Sequence, residues 1–195
     1  MRAIIQARMS STRCPGKVLR GDRPIFGEMV RRLRLCSLVS GIMIAASTDG
    51  SDDAIADWCL REHVECYRGP LEDVAKRYLG AAVRELAFVR LCGDSPFIDP
   101  YTVDKAIRLY CEEVRSPVLV SNVPNRGNSV EVVNWLALFE AYPDMKPEER
   151  EHVTLHFYRN PCRGSILKFN GPAVVGAFTV DTEDDWQRYA AVLSA

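Results

Sequence analysis

The fold class predicted by this sequence is α/β, three layers around a mostly parallel sheet, and three observations predict it. Short apolar runs alternate with amphipathic stretches through the first 116 residues, the pattern of strands covered on both faces by helices. A length of 195 residues suits one domain with its own core. A composition 47% hydrophobic and 26% charged is that of a globular chain and excludes disordered, collagen-like and repeat architectures.

The elements follow in order. A first strand is predicted from Ala3 to Ala7, around Ile4 and Ile5. A helix from Ile25 to Leu38 comes next, with Phe26, Met29, Val30, Leu33 and Cys36 at helical spacing and Arg31, Arg32 and Arg34 off that stripe. Ile42 to Ala46 reads as a buried strand ended by Ser47-Thr48-Asp49-Gly50, and Ser51 caps a helix to Glu62 whose early acids favour its N-terminus. Val64 to Tyr67 is a third strand, Glu72 to Arg84 a helix, and Phe88 to Cys92 a fourth strand running into Gly93-Asp94-Ser95-Pro96. Pro100 suits the first turn of a helix to Val114, where its missing N–H costs nothing. Beyond Pro117 the alternation loosens. Strands are expected at Val118 to Ser121 and Ser129 to Val133, helices at Leu136 to Ala141 and Pro147 to Tyr158, a strand at Val174 to Val180, and a last helix from Glu183 to Leu193.

A net charge of −1 excludes a general nucleic-acid binder held by counterion release. It conceals an asymmetry: residues 1–35 carry nine basic and two acidic groups, a local +7, against −8 for the remainder. An anionic ligand is therefore expected at the N-terminal end. The seven cysteines are scattered, odd in number and without a CxxC pair, which argues for reduced thiols over a disulfide framework or zinc ribbon. The run Ala3-Ile4-Ile5 is too short for a signal peptide, and no run nears the roughly 20 apolar residues of a membrane span. A cytoplasmic location without membrane partners is expected.

The most informative segment is Gln6-Ala7-Arg8-Met9-Ser10-Ser11-Thr12-Arg13-Cys14-Pro15-Gly16-Lys17, directly after the first strand. Ligands of open α/β sheets gather at the carboxyl ends of strands, and a loop of small hydroxyl residues brings backbone N–H groups close to phosphate oxygens. Arg8 and Arg13 can clamp phosphate bidentately, while Lys17 supplies a point charge for a leaving group. The loop is neither GxxxxGK[ST], since Val18 stands where that motif needs its hydroxyl, nor GxGxxG. A solvated basic loop making ordinary turns is the plain alternative.

The pattern Ala7-Arg8-x-x-Ser11-x-Arg13-x-Pro15-Gly16-Lys17-x-Leu19 resembles the signature of the cytidylyltransferase family, which includes acylneuraminate and 3-deoxy-manno-octulosonate cytidylyltransferases. It is most similar to the branch of the spore coat polysaccharide biosynthesis protein F. The resemblance continues through Ala46-Ser47-Thr48, Asp73-Val74 with Arg77-Tyr78, Gly93-Asp94-Ser95-Pro96, Val130-Glu131-Val132, Glu149 to Thr154 and Val180-Asp181-Thr182, nearly the whole chain. Cys14 replaces the family's usual leucine. The loop Asn125 to Asn128 is shorter than in relatives, as is the chain, so a reduced acceptor pocket or one completed by another subunit is expected.

The resemblance implies a Rossmann-like nucleotide-diphospho-sugar transferase fold of the GT-A-like kind. Residues 1–116 would form the nucleotide half, 117–182 the sugar-specificity region and 183–195 a C-terminal helix. It implies CTP and an acidic sugar as substrates, with Arg8, Arg13 and Lys17 catalytic. Ala7, Met9, Ser10, Ser11, Thr48, Asp73 and Gly93 join them around the nucleotide, and Glu131, Arg150 and His152 meet the sugar. Relatives are often dimers, which leaves a homodimer open.

Asp94, at the end of a buried strand, is well placed for Mg²⁺, which takes one or two carboxylates together with phosphates. The resemblance makes Asp94 and Asp181 the metal ligands, although either could cap a helix. Lys17 and Asp94 are expected as exposed site groups. Asp73 and Arg77, four apart, could instead form an intrahelical ion pair, and Arg150 could lie on a solvated helix face. His152 and His156 share helical spacing, but Val153 stands where a zinc HExxH motif needs glutamate. The expected reaction is transfer of CMP from CTP to a sugar with release of pyrophosphate. The alternatives are a sugar-nucleotide-dependent glycosyltransferase, disfavoured because Asp94 lies in GDSP and not a DxD pair, and a noncatalytic nucleotide-binding protein.

Overall fold

The computed structural model describes the whole chain except residues 12, 114–116, 162–164, 172–177 and 195. Among the described residues, seven strands form one sheet: β1 (Arg2–Gln6), β2 (Gly41–Ser47), β3 (Glu65–Gly69), β4 (Ala87–Cys92), β5 (Leu119–Ser121), β6 (Glu131–Asn134) and β7 (Ile166–Lys168). Their order is β3-β2-β1-β4-β6-β5-β7. β1 is parallel to β2 and β4, and β2 to β3. β6 runs antiparallel to both β4 and β5, and β5 is parallel to β7.

The helices are α1 (Ile25–Leu33), α2 (Asp53–Arg61), α3 (Val74–Ala81), α4 (Pro100–Glu112), α5 (Trp135–Ala141), α6 (Pro147–His152), α7 (Leu155–Arg159) and α8 (Glu183–Ser194). They cover both sides of the sheet because its central strands are apolar on both. Ala3 and Ile5 face one core, shared with Phe26 of α1, Trp58 of α2, Val103 of α4 and Tyr189 of α8. Ile4 faces the other, shared with Tyr78 of α3, Leu138 of α5 and Phe157 of α7. Full burial of a side chain such as Ile4 or Phe26 contributes about 1.5–3 kcal/mol, so a solvent-facing side would forfeit much of the core's driving force. The α/β expectation and its four strand-helix repeats hold.

Several boundaries differ from the sequence pattern, each for a local reason. The helix expected to reach Leu38 ends at Leu33, because the Asp104 carboxylate takes the N–H groups of Ser37 (2.8 Å) and Leu38 (2.9 Å) and draws the chain off the helix axis. The helix expected from Glu72 starts at Val74, where Asp73 caps it by accepting from the Lys76 N–H at 2.9 Å. The single helix expected over Pro147 to Tyr158 is two, broken at Val153, whose φ of 53° is outside the right-handed helical region. The strand expected from Ser129 begins at Glu131, since the Val130 N–H is taken by the Asn122 side chain at 2.7 Å. β7, three residues at a sheet edge, was too short to read. Of the strand expected at Val174 to Val180, 174–177 lie outside the described residues and 178–180 are not in a strand.

Candidate active site

β1 continues through a helix to β2 on one side, while β4 is added on the other, so the order of the strands reverses between the parallel neighbours β1 and β4. Open α/β sheets bind ligands outside the carboxyl ends of strands at such a switch point. Gln6 and Cys92, the last residues of β1 and β4, are paired there. The basic loop leaves from one and Gly93-Asp94 from the other. A Cβ on Gly93 would lie 2.6 Å from the Gln6 carbonyl oxygen and 2.8 Å from the Phe26 ring, so only glycine lets the two strand ends approach this closely.

The loop folds back on one carbonyl. Met9 C=O accepts from the Ser11 N–H (2.9 Å) and the Gly16 N–H (3.1 Å), and Gly16 takes φ 69°, the left-handed conformation glycine adopts without strain. One turn of 3₁₀ helix, Lys17–Leu19, follows. This geometry leaves Arg8 and Arg13 exposed and turns Lys17 inward. Lys17 is therefore not the exposed group its sequence context suggested. It is 7% exposed, donates to the Val180 carbonyl, and lies 3.5 Å from Asp181 Oδ1. Arg13 reaches the same oxygen at 3.1 Å. Arg8 has no hydrogen-bond or ion-pair partner among the described residues.

Asp94 and Asp181 complete the cleft, of about 170 Å³, with Arg8, Arg13 and Lys17. The segment carrying Asp181 docks through the Val180 N–H on the Asp94 carbonyl at 2.8 Å. Asp94 is also less exposed than its context suggested. Burial pushes its carboxyl above the usual aspartate value, Lys17 opposing and Asp181 reinforcing the shift. The capping question at Asp181 is settled by division of labour. Thr182 Oγ1 accepts the Asp185 N–H at 3.2 Å and the Asp185 carboxylate accepts the Thr182 N–H at 3.0 Å, a reciprocal cap of α8 that leaves Asp181 facing the cleft.

Two oxygen donors that repel each other across one cleft suit Mg²⁺, whose shell is otherwise filled by water and phosphate. No third His, Cys, Asp or Glu joins them among the described residues. A larger groove, about 410 Å³, opens beside Gly41 and Glu65 at the amino ends of β2 and β3. It lies at the far edge of the sheet from the converging charges, so the smaller cleft is the candidate site.

Of the other sequence-selected residues, Ala7, Ser11 and Gly93 line the same cleft, and Met9 and Ser10 belong to its loop without lining it. Thr48 is exposed at the end of β2, its N–H bonded to the Gly69 carbonyl at 2.8 Å. Asp73 accepts from the Tyr142 hydroxyl at 2.6 Å, and Arg150 stacks on the Tyr142 ring 3.9 Å from the Asp73 carboxylate, so these two meet each other outside the cleft. The intrahelical Asp73–Arg77 pair does not form, because Arg77 is 1% exposed and donates to the Ala7 and Leu71 carbonyls.

Glu131 is 2% exposed and occupied by Arg90 (2.7 Å), Thr154 (3.0 Å) and Tyr158 (3.0 Å), which leaves no free carboxylate face for a sugar. His152 ends α6, exposed. His156 belongs to α7 and is buried against Glu149 at 3.0 Å, so the two histidines share no helix face. Asp52, Arg77 and Arg90 matter here and were not read as such. Asp52 is one more acid at a helix start, and Arg77 stands out in the sequence through the Asp73-Val74 and Arg77-Tyr78 resemblance and as a cation among the apolar positions of α3, neither of which points to the Ala7 carbonyl.

The model of the cytidylyltransferase family matches residues 2–182. The spore coat polysaccharide biosynthesis protein SpsF of Bacillus subtilis (strain 168) is 31% identical over 203 residues, covering 97% of this chain and 84% of that protein. A 3-deoxy-manno-octulosonate cytidylyltransferase of Geobacter sulfurreducens is 31% identical over 160 residues, 74% of this chain and 62% of that protein. Among solved structures, a cytidylyltransferase from Leptospira borgpetersenii serovar Hardjo-bovis (strain JB197) superposes with TM-score 0.90 at 27% identity, covering 99% of this chain and 86% of that one. The CMP:2-keto-3-deoxy-manno-octonic acid synthetase complexed with CTP shares the fold, with TM-score 0.73 at 16% identity over 99% and 98% of the two chains.

Proposed function

This chain belongs to the cytidylyltransferase family, and from that premise we propose that it transfers CMP from CTP to an acidic sugar of surface polysaccharide biosynthesis, releasing pyrophosphate. The observation that carries the reading is the convergence of Arg8, Arg13 and Lys17 with Asp94 and Asp181 at the switch point between β1 and β4. Three cations against two carboxylates leave a surplus of positive charge for a triphosphate. The spore coat and 3-deoxy-manno-octulosonate relatives support a sugar of this class as acceptor.

In the proposed reaction a sugar hydroxyl oxygen bonds to the α-phosphorus as the bond from that phosphorus to the β-phosphate oxygen breaks, and the hydroxyl proton leaves to solvent. Such transfers need positioning and charge stabilisation more than covalent help. Arg8 and Arg13, exposed at the mouth, grip phosphate oxygens through paired N–H donors. Lys17, held in place by the Val180 carbonyl, presents a fixed ammonium to the charge growing on pyrophosphate. Asp94 and Asp181 would hold Mg²⁺, which when bound neutralises phosphate oxygens and makes phosphorus more electrophilic. The loop backbone around Ala7 to Ser11, with Gly93, Thr48 and Asp73 nearby along the strand ends, is assigned to the nucleotide, and Arg150 and His152 to the sugar. Cytoplasmic turnover and a homodimer are further parts of this reading.

The test is pyrophosphate release from a panel of nucleoside triphosphates, with and without Mg²⁺ and a set of sugar acids. Release with CTP and a sugar acid, abolished by chelation and restored by Mg²⁺, is expected. No release with any pair would sink the proposal.

A further inference from the structure

Outside the cleft, two fully buried charges converge on the backbone of one loop residue. Asp52 is 0% exposed, and its Oδ1 accepts the Met9 N–H at 2.6 Å while Oδ2 accepts the Ser47 N–H (2.8 Å) and hydroxyl (2.5 Å). Arg77 is 1% exposed, and it donates to the Ala7 carbonyl at 3.1 Å and to the Leu71 carbonyl at 3.2 Å. The Ala7 carbonyl belongs to the peptide unit before Arg8 and the Met9 N–H to the unit after it. Both peptide planes flanking Arg8 are thus held by a buried charge, a negative one from the turn before α2 and a positive one from α3.

Burying a charge to satisfy one backbone group is costly unless the charge is compensated. Burial weighs most against the Arg77 cation and Arg8 adds to that, while Tyr78, Asp52 and Asp73 partly offset it. The Ala7 N–H is also fixed, donating to the Ala45 carbonyl at 3.1 Å. The exposed Arg8 side chain therefore leaves a main chain with little freedom to turn, although its guanidinium has no hydrogen-bond or ion-pair partner among the described residues. Rigid support beneath a mobile-looking cation is what electrostatic catalysis requires, because donors that must reorient lose much of their effect.

We propose that Asp52 and Arg77 are a pair of positioning residues that clamp the two peptide units around Arg8 and so aim its guanidinium at the triphosphate. The inference rests on the nucleotidyl-transfer reading for its ligand, and on the hydrogen bonds alone for the clamp. Arg8 touches the nucleotide; Asp52 and Arg77 act through it.

The experiment is a double-mutant cycle on CTP affinity, measured by calorimetry with Mg²⁺, joined to amide hydrogen exchange of the loop. Asn at position 52 keeps the shape but has one acceptor oxygen where two are in use, so Asp52→Asn must release either Met9 or Ser47. Losing one charge-assisted bond corresponds to roughly a tenfold to hundredfold effect. Met9 amide exchange is expected to speed up by about that factor, and CTP to bind about that much more weakly. In an Arg8→Ala background the same Asp52→Asn change is expected to weaken CTP by less than about twofold, because the group it positions is gone.

Equal measurable losses in both backgrounds would overturn the clamp, as would amide exchange left unchanged at both Met9 and Ser47. If Asp52→Asn does not fold, Arg77→Lys carries the same cycle, read at the Arg8 amide of the peptide unit that holds the Ala7 carbonyl, since a shorter lysine lacks the guanidinium fork whose two nitrogens reach the Ala7 and Leu71 carbonyls, and the Ser47 contacts stay intact. Wild-type protein that binds no CTP overturns the functional reading instead, and slow Met9 exchange in it, lost in Asp52→Asn, would still support the clamp.

Discussion

Lys17 shows how one side chain serves both the fold and the site. Its ammonium is nearly excluded from water, yet it is compensated by the Val180 carbonyl and by Asp181 at 3.5 Å. Lys17→Ala is therefore expected to do two things. Turnover with CTP should fall by about 100- to 1000-fold, the usual loss for one preorganised donor. Stability should fall by about 1–3 kcal/mol, because the Val180 carbonyl loses its partner. Pyrophosphate-release kinetics and urea unfolding measure the two separately, and near-normal turnover would remove Lys17 from the site. The residue type and its place in the loop were legible in the sequence. Its burial was not, because the group that covers it comes from a segment 163 residues further on.

Helix ends show what local chemistry dictates and where it is overridden. After α2 the chain forms a Schellman turn, Val64 N–H to Cys59 carbonyl at 2.9 Å and His63 N–H to Leu60 carbonyl at 3.4 Å, and His63 takes φ 53°. Glycine belongs at that position, and the exposed His63 side chain has little packing to lose. His63→Gly is expected to stabilise the protein by about 1 kcal/mol in chemical denaturation.

On α1, Glu28 is 8% exposed and bonded to Arg31 and Arg32. Burial alone would raise its carboxyl, but the two guanidinium groups outweigh it and hold the group below its usual value of 4.5. A depressed carboxylate contributes stability that is present above its unfolded value and is lost as pH falls through the folded one. Glu28→Gln should thus be less stable than wild type at pH 7, with the difference shrinking below about pH 4.5; thermal unfolding at pH 7 and pH 3 checks the sign. That Arg31 and Arg32 serve α1 and not a ligand agrees with their place off its apolar stripe.

Across the whole molecule, the pairing of the sheet changes from parallel to antiparallel at the β4–β6 seam, where half-buried Arg90 pairs with buried Glu131 at 2.7 Å. Glu131→Gln leaves that cation uncompensated and should cost about 3–5 kcal/mol in urea unfolding. A loss below about 1 kcal/mol would return Glu131 to the list of sugar ligands. The strand-helix alternation, the two-sided apolar strands and the identity of the basic loop could all be read from the chain, because periodicity and loop chemistry are local properties. So could the two aspartates at the ends of apolar runs, once motif resemblance marked them. Strand order, the docking of Val180 on Asp94, the burial of Glu131, and the approach of Asp52 and Arg77 to either side of Arg8 needed the tertiary structure. Each depends on groups distant in sequence, brought together by packing whose free energy belongs to no single segment.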